Sequence, residues 1–166
     1  MTEETRHVAF ICSKGSLDMT YPALVMGWAA LGQGIDVTLF FTFWGMDMIR
    51  KDRVENLEIS AVANPSMKMS MMGVPGNVGI PNFMGIVPGM TALATKLMKD
   101  KMAKLEVPTV PEYLSMLCDA GARLYACKMS VDMFNLKDED LIPCVGSVVT
   151  ASDFMDMTEG AQIIFI

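Results

Sequence analysis

The run Asp36-Val37-Thr38-Leu39-Phe40-Phe41-Thr42-Phe43 constrains this chain more than any other stretch. Its β-branched and aromatic residues stand on both parities, so both sides of the strand must be covered. A shorter run of the same kind, His7-Val8-Ala9-Phe10-Ile11-Cys12, precedes it. Between the two, Leu24, Trp28 and Leu31 recur at helical spacing, and Gly32 and Gly34 close the element. Ser16 can cap that helix with Asp18 in its first turn, and Pro22 belongs near the helix start or kinks it. Strand, helix, strand in this order predicts a βαβ unit, two parallel strands joined by a right-handed crossover.

The alternation continues downstream. Met46, Ile49 and Arg50 begin a short helical stretch after the turn at Trp44-Gly45. A helix is predicted over 91–104, with Leu93, Leu97 and Leu105 on its apolar side. Pro108 and Pro111 break the chain, and Tyr113–Gly121 reads as a helix ended by its glycine. Ala122–Ala126 is an apolar strand, followed by helical spacing that puts Met129, Met133 and Leu136 on one side. Val145–Val149 is ambiguous between strand and turn, Thr150 can start a short helix, and Gln162–Ile166 is a closing strand. The pattern predicts an α/β fold: a single doubly wound domain over 1–166, with a mostly parallel, roughly five-stranded sheet and helices on both faces. One stretch interrupts it. From about 64 to 90, prolines and glycines preclude long elements while Met67, Met69, Met71, Met72, Phe83 and Ile86 keep it apolar. Such a segment should cover a site or pack into a partner subunit.

Composition narrows the function classes. The apolar share is 52% and the charged share 19%, which suggests extra apolar surface hidden in a homo-oligomer. A net charge of −6 argues against nucleic acid. The polar N-terminus leads directly into the first strand, and no stretch is apolar enough to span a bilayer, so a cytoplasmic protein is expected. The four cysteines, Cys12, Cys118, Cys127 and Cys144, lack C-x-x-C or zinc spacing, and free thiols in a reducing compartment are the default. With a single histidine, His7, neither a metal site nor a Ser/His/Asp set is expected. Ser13-Lys14-Gly15-Ser16 lacks the phosphate-loop and dinucleotide patterns, so no cofactor is expected.

Cys127 stands out by position, where the strand pattern gives way to the helix pattern. Helix-terminal N–H groups and the neighbouring Lys128 would favour a thiolate there. The competing reading is a small buried apolar residue, the commonest fate of free cysteine. In doubly wound folds ligands bind beyond the carboxyl ends of the strands, where three loops should meet: Cys12-Ser13-Lys14-Gly15, Thr42-Phe43-Trp44-Gly45 and Cys127-Lys128-Met129-Ser130. Cys12, Lys14, Lys128 and Trp44 are therefore candidate binding residues, Cys12 also having a core-packing reading. Cys118 reads as helix packing, and Cys144 as an accessible thiol without a motif. Met67-Lys68-Met69-Ser70-Met71-Met72 offers the thioethers that Cu(I) prefers, but in a chain with 18 methionines irregular apolar packing is the better reading.

Ser13–Met19, Phe40–Met46 and above all Ala126-Cys127-Lys128-Met129-Ser130-Val131-Asp132-Met133 resemble the DsrE/DsrF-like family, in its peroxiredoxin-annotated branch related to DsrE-type sulfur carriers. The resemblance extends over nearly the whole chain. It implies a mostly parallel α/β fold, a homo-oligomer, and a cysteine that carries sulfur as persulfide or thiosulfonate, the role falling on Cys127. It also implies sulfur donor and acceptor partners of rhodanese-like or TusA-like type. This sequence departs from the pattern in having Cys12 where family members commonly have a small residue such as Ala. Phe134-Asn135 likewise stands where many relatives have a glycine-containing turn. Two functional readings follow: a sulfur carrier or sulfurtransferase acting through Cys127, and a non-catalytic oligomeric scaffold or partner-binding module of the same fold. A Cu(I) store at Met67–Met72 is a third.

Overall fold

A computed structural model describes residues 6–60, 79 and 87–166. The Met67–Met72 run and most of the apolar interruption lie outside the described residues. The chain divides into two compact units, one of Met1–Gly15, Met19–Leu57 and Thr109–Ile166, the other of Ser16–Asp18 and Glu58–Pro108.

The larger unit is built on β1 (His7–Cys12), β2 (Asp36–Phe41), β3 (Arg123–Cys127), β4 (Ser147–Val149) and β5 (Gln162–Phe165), in the order β4-β3-β2-β1-β5. Every pairing is parallel. Register fixes which side chains share a face. Cys12 pairs with Phe41 and Phe41 with Ala126, so these three point one way and their chain neighbours the other. On the first face lie Phe10, Val37, Phe41 and Leu124, under α1 (Leu17–Gly32) and α3 (Val110–Asp119). On the second, Ala9, Phe40 and Cys127 form a buried cluster with Phe154 of α5 (Ala151–Met157). Phe40 and Phe154 stack with centroids 4.4 Å apart, a contact worth about 1 kcal/mol beyond its burial. Helices on both faces of a five-stranded parallel sheet is the predicted α/β architecture.

Several local expectations change. Trp28 is exposed and Gly27 takes the buried position instead, its missing side chain letting α1 approach Val37, Phe10 and Leu117. Pro22 sits inside α1, on its exposed side. Pro111 does not break the chain. It occupies the first turn of α3, where a missing N–H costs nothing, behind a capping box in which Thr109 and Glu112 satisfy each other's backbone. Thr150 and Asp153 form the same box at α5. The second strand ends at Phe41, and Phe43–Met48 is a 3-10 helix with Met46 and Met48 fully buried.

In the smaller unit, α2 (Met90–Lys104) buries Ala94 and Thr95 rather than Leu93, which is exposed, as is Leu105 beyond its end. Thr95 Oγ1 accepts the Ile59 N–H at 3.1 Å, and Glu58 O accepts the Leu17 N–H at 2.8 Å. No helix among the described residues is long and apolar enough to cross a membrane.

Two glycines let the loops at the carboxyl ends of β1 and β2 press backbone against backbone. A Cβ on Gly45 would overlap the Cys12 carbonyl, and one on Gly15 would overlap the Trp44 carbonyl. Neither neighbour is a side chain able to swing away. Gly45→Ala is therefore expected to destabilise the protein by about 2 kcal/mol or more. Gly32→Ala, at a helical position with open space around it, should be neutral or stabilising by up to about 1 kcal/mol. Urea unfolding of the two variants beside the parent checks the contrast.

Candidate functional site

Cys127 is the last residue of β3 and the N-cap of α4 (Lys128–Met133), with φ −71° and ψ 121°. The rung after Phe41–Ala126 sets Thr42 beside Cys127 on the same face, because Thr42 stays extended (φ −137°, ψ 156°). Ser130, fully buried in the first turn of α4, reaches back to the same place. Its Oγ accepts the Phe43 N–H at 2.8 Å and lies 3.2 Å from Thr42 Oγ1. Because Ser130 Oγ accepts from Phe43, its own hydroxyl hydrogen is left to donate.

That arrangement sets the acidity of the sulfur. Burial, the largest influence, pushes the Cys127 thiol up. It is outweighed by the Ser130 backbone N–H, the Thr42 and Ser130 hydroxyls and the Met129 backbone N–H, which together bring the thiol below its ordinary value. The sulfur makes no formal capping hydrogen bond; the donors act as a convergent field around it. Only 5% of Cys127 is exposed.

Around this pocket the chain bends sharply. Phe43 has φ +47°, costly for a residue with a side chain, and is held there by several constraints at once. The Thr42 N–H binds Cys12 O at 3.0 Å, the Gly45 N–H binds Thr42 O at 2.9 Å, and Ser130 takes the Phe43 N–H. The bend turns Phe43 and Trp44 outward; Trp44 is 64% exposed and packs at 5.4 Å on Phe134 just past α4. Met129 and Met133, expected on a packed helix side, are exposed, while Ser130 and Val131 are the buried pair of α4. Asn135, at φ +51°, supplies the left-handed residue that closes the α4 turn, a conformation asparagine tolerates nearly as glycine does.

The remaining candidates do not assemble with Cys127. Cys12 lies two strands away, about 10 Å across the sheet, on the opposite face, 2% exposed. Burial pushes its thiol up to about 12. The expected crevice with two thiols is therefore absent, since strand parity sends them to different sides. Lys14 is exposed in the β1–α1 loop. The Lys128 ammonium pairs with Asp132 one turn along α4 and is not among the groups that shift Cys127. Cys118 and Cys144, expected as free thiols, are joined in a disulfide. His7 sits at the opposite ends of the strands, hydrogen-bonded to Thr38 at 2.9 Å, and burial followed by the Arg123 charge lowers its pKa. No group of three or more metal-ligating side chains occurs among the described residues.

Strand order also relocates the site. Reversal of the winding falls between β1 and β5, the usual ligand crevice. There Ile166 O accepts the Ser13 N–H at 2.8 Å and the Ser13 Oγ–H at 2.9 Å, extending the β1–β5 pairing past the strand ends. The acidic thiol instead lies beyond β2 and β3. Thr42 and Ser130 are thiolate donors that sequence reasoning missed. Ser130 was legible in principle, as a hydroxyl at the third residue of a cysteine-capped helix, whereas Thr42 needed the β2–β3 register.

The sheet is parallel, with a buried cysteine of lowered pKa at a strand-to-helix junction and His7 at the opposite ends of the strands. The chain belongs to the DsrE/DsrF/DrsH-like family, whose profile matches residues 4–166. It is 32% identical over 155 residues to the "Sulfur carrier protein DsrE2" of Allochromatium vinosum, covering 91% of this chain and 92% of that protein. It is 28% identical over 168 residues to the "Uncharacterized protein YrkE" of Bacillus subtilis, across the whole of both. In fold it is similar to protein MTH1491 from Methanobacterium thermoautotrophicum (TM-score 0.55, 11% identity, 97% of this chain and 99% of that one). It is also similar to the ychN protein from E. coli (TM-score 0.51, 12% identity, the same coverage).

Ser130→Ala removes one donor to the sulfur and strands the Phe43 N–H, so the apparent pKa of Cys127 should rise. The pH profile of iodoacetamide alkylation should move to higher pH in the variant, with severalfold slower reaction at neutral pH. Cys12 gives the opposite pH signature. Its folded pKa is raised, so the stability it contributes is full below pH 9, the ordinary value, and is lost as pH rises toward about 12. Denaturation curves across that window should flatten in Cys12→Ala.

Proposed function

We propose that the protein is a sulfur carrier that holds sulfane sulfur on Cys127 and passes it to an acceptor thiol. The observation that carries this is the set of donors around one sulfur: Thr42, Ser130 and the first N–H groups of α4 keep Cys127 acidic although it is buried. Similarity to the A. vinosum sulfur carrier supports the same reading.

The chemistry needs no other group. The Cys127 thiolate attacks the outer sulfur of a donor persulfide or polysulfide; a new S–S bond forms, the donor's S–S bond breaks, and the donor leaves as a thiolate. In the loaded state Sγ is a neutral bridging sulfur, and the negative charge has moved to the outer atom. The donors aimed at Sγ therefore stabilise the empty carrier more than the loaded one. When an acceptor thiolate attacks the outer sulfur, Cys127 departs as the thiolate these donors favour. The site is thus biased toward delivery rather than storage. With a donor R–S–S–SO3⁻ the thiolate attacks the sulfur next to the sulfonate; Cys127 gains S–SO3⁻, the donor's S–S bond breaks, and R–S⁻ leaves.

Partners would meet an apolar collar of Phe43, Trp44, Met129 and Met133, all exposed beside the thiol. In this reading Trp44 is a docking residue, and Cys12, Lys14 and Lys128 are bystanders. A homo-oligomer belongs to the same proposal, since β5 presents Ile163 and Phe165 at the sheet edge. The scaffold alternative predicts an ordinary thiol at Cys127, which the four donors argue against.

After incubation with polysulfide, intact-mass analysis should show one added sulfur, about +32 Da, on the parent and on Cys12→Ala. Cys127→Ser should take up none. Equal loading of Cys127→Ser would overturn the assignment.

A further inference from the structure

The Cys118–Cys144 pair lies away from the sulfur site and is not used by it. Cys118 is in the last turn of α3 and Cys144 in the segment before β4, with Cα atoms 6.1 Å apart. The bond closes a loop that contains all of β3, Cys127 and α4. It is set apart along the strands: Cys144 precedes the first rung of β4, whereas Cys127 pairs with the last, Val149.

Three observations make this bond an exchangeable site rather than a buried staple. Both cysteines are partly exposed. Pro143 and Val145, on either side of Cys144, line an open groove of about 480 Å³ with Lys51, Asp138 and Ser147. The opened state is also provided for: Cys118 Sγ lies 3.6 Å from Cys144 O, and Cys144 Sγ 3.9 Å from Leu114 O, so each thiol has an acceptor in place once reduced.

What the bond restrains is the weakest strand of the sheet. β4 has three residues, all at least partly exposed, and among the described residues lies at an edge and pairs with β3 alone. Its entry is held by the Gly146 N–H to Leu124 O, at 2.8 Å, and by the bond at Cys144. Val149 at its far end packs against the Cys127 cluster.

We propose that Cys118–Cys144 is a second, redox-active site, a partly exposed disulfide exchanged with dithiols, whose state sets how tightly β4 is held beside Cys127. A dithiol thiolate attacks Cys144 Sγ, breaking the bond and releasing Cys118 as a thiolate that takes a proton. The second thiol of the reductant then attacks the mixed disulfide and frees Cys144. Two electrons pass to the protein, and the reductant leaves as its own disulfide.

The experiment uses the full chain carrying Cys127→Ser, so that sulfur carried at the first site cannot enter the readout and failure of the carrier reading leaves the outcome intact. The protein is equilibrated in oxidised or reduced dithiothreitol, alkylated and digested, and compared by amide hydrogen exchange and thermal unfolding. Cys118 and Cys144 should become alkylatable together, after reduction only. Residues 146–149 should then exchange at least about tenfold faster, and Tm should fall by about 10 °C. Cys144→Ser should reproduce the reduced state under both conditions; should it fail to fold, the parent pair of measurements decides. Thiols that stay alkylatable in oxidised dithiothreitol, or β4 exchange and Tm that are the same in both states, overturn the proposal.

Discussion

Everything distinctive about this site depends on the pairing of β2 with β3. The register Phe41 with Ala126 delivers Thr42 to Cys127, and the bend that follows delivers the Phe43 N–H to Ser130. One hydroxyl comes from the end of β2 and the other from α4, so the donors converge only when two segments far apart in sequence are aligned to the residue. A slip of one position would send Cys127 to the other face, where the same alternation already places Cys12. The two free cysteines thus show what a parity difference does: one thiol acidified, one driven to about 12.

The close packing of the loops serves this alignment. Gly45 against the Cys12 carbonyl and Gly15 against the Trp44 carbonyl bring the ends of β1 and β2 nearer than side chains would permit. Phe43 holds an unfavourable backbone conformation because three hydrogen bonds around it leave no alternative. The local cost at Phe43 is offset by a fixed position for Thr42 and an outward aim for Trp44.

Much of the fold was legible in the sequence because it rests on local pattern: apolar runs at β1, β2, β3 and β5, a glycine after α3, and the strand-to-helix change at Cys127. What was not legible depends on pairing or on burial. Trp28 and Gly27 are adjacent, and only the close approach of α3 and the sheet decides that the glycine faces inward. Pro111 reads as a breaker until Thr109 and Glu112 are seen as a capping box, after which it is a start signal. Cys118 and Cys144 have no recognisable spacing, since their contact is made by packing of α3 against the segment before β4. The candidate site was legible in the position of Cys127 at the strand-to-helix change; Trp44 was a candidate binding residue of the loop after β2, but its exposure was not legible. The site was not legible in its donors, because Thr42 acquires its role from strand order, and the charge of Lys128, plausible by adjacency, is taken by Asp132.

The donors around Cys127 have one more consequence. Thr42 and Ser130 stand 88 positions apart, and β2 is complete long before β3 leaves the ribosome. A nascent chain therefore presents a plain cysteine, no more reactive than any other, until the sheet has closed through its third strand. The set of donors around the sulfur comes into being as a product of folding, and a chain that misaligns these strands keeps an ordinary thiol at that position.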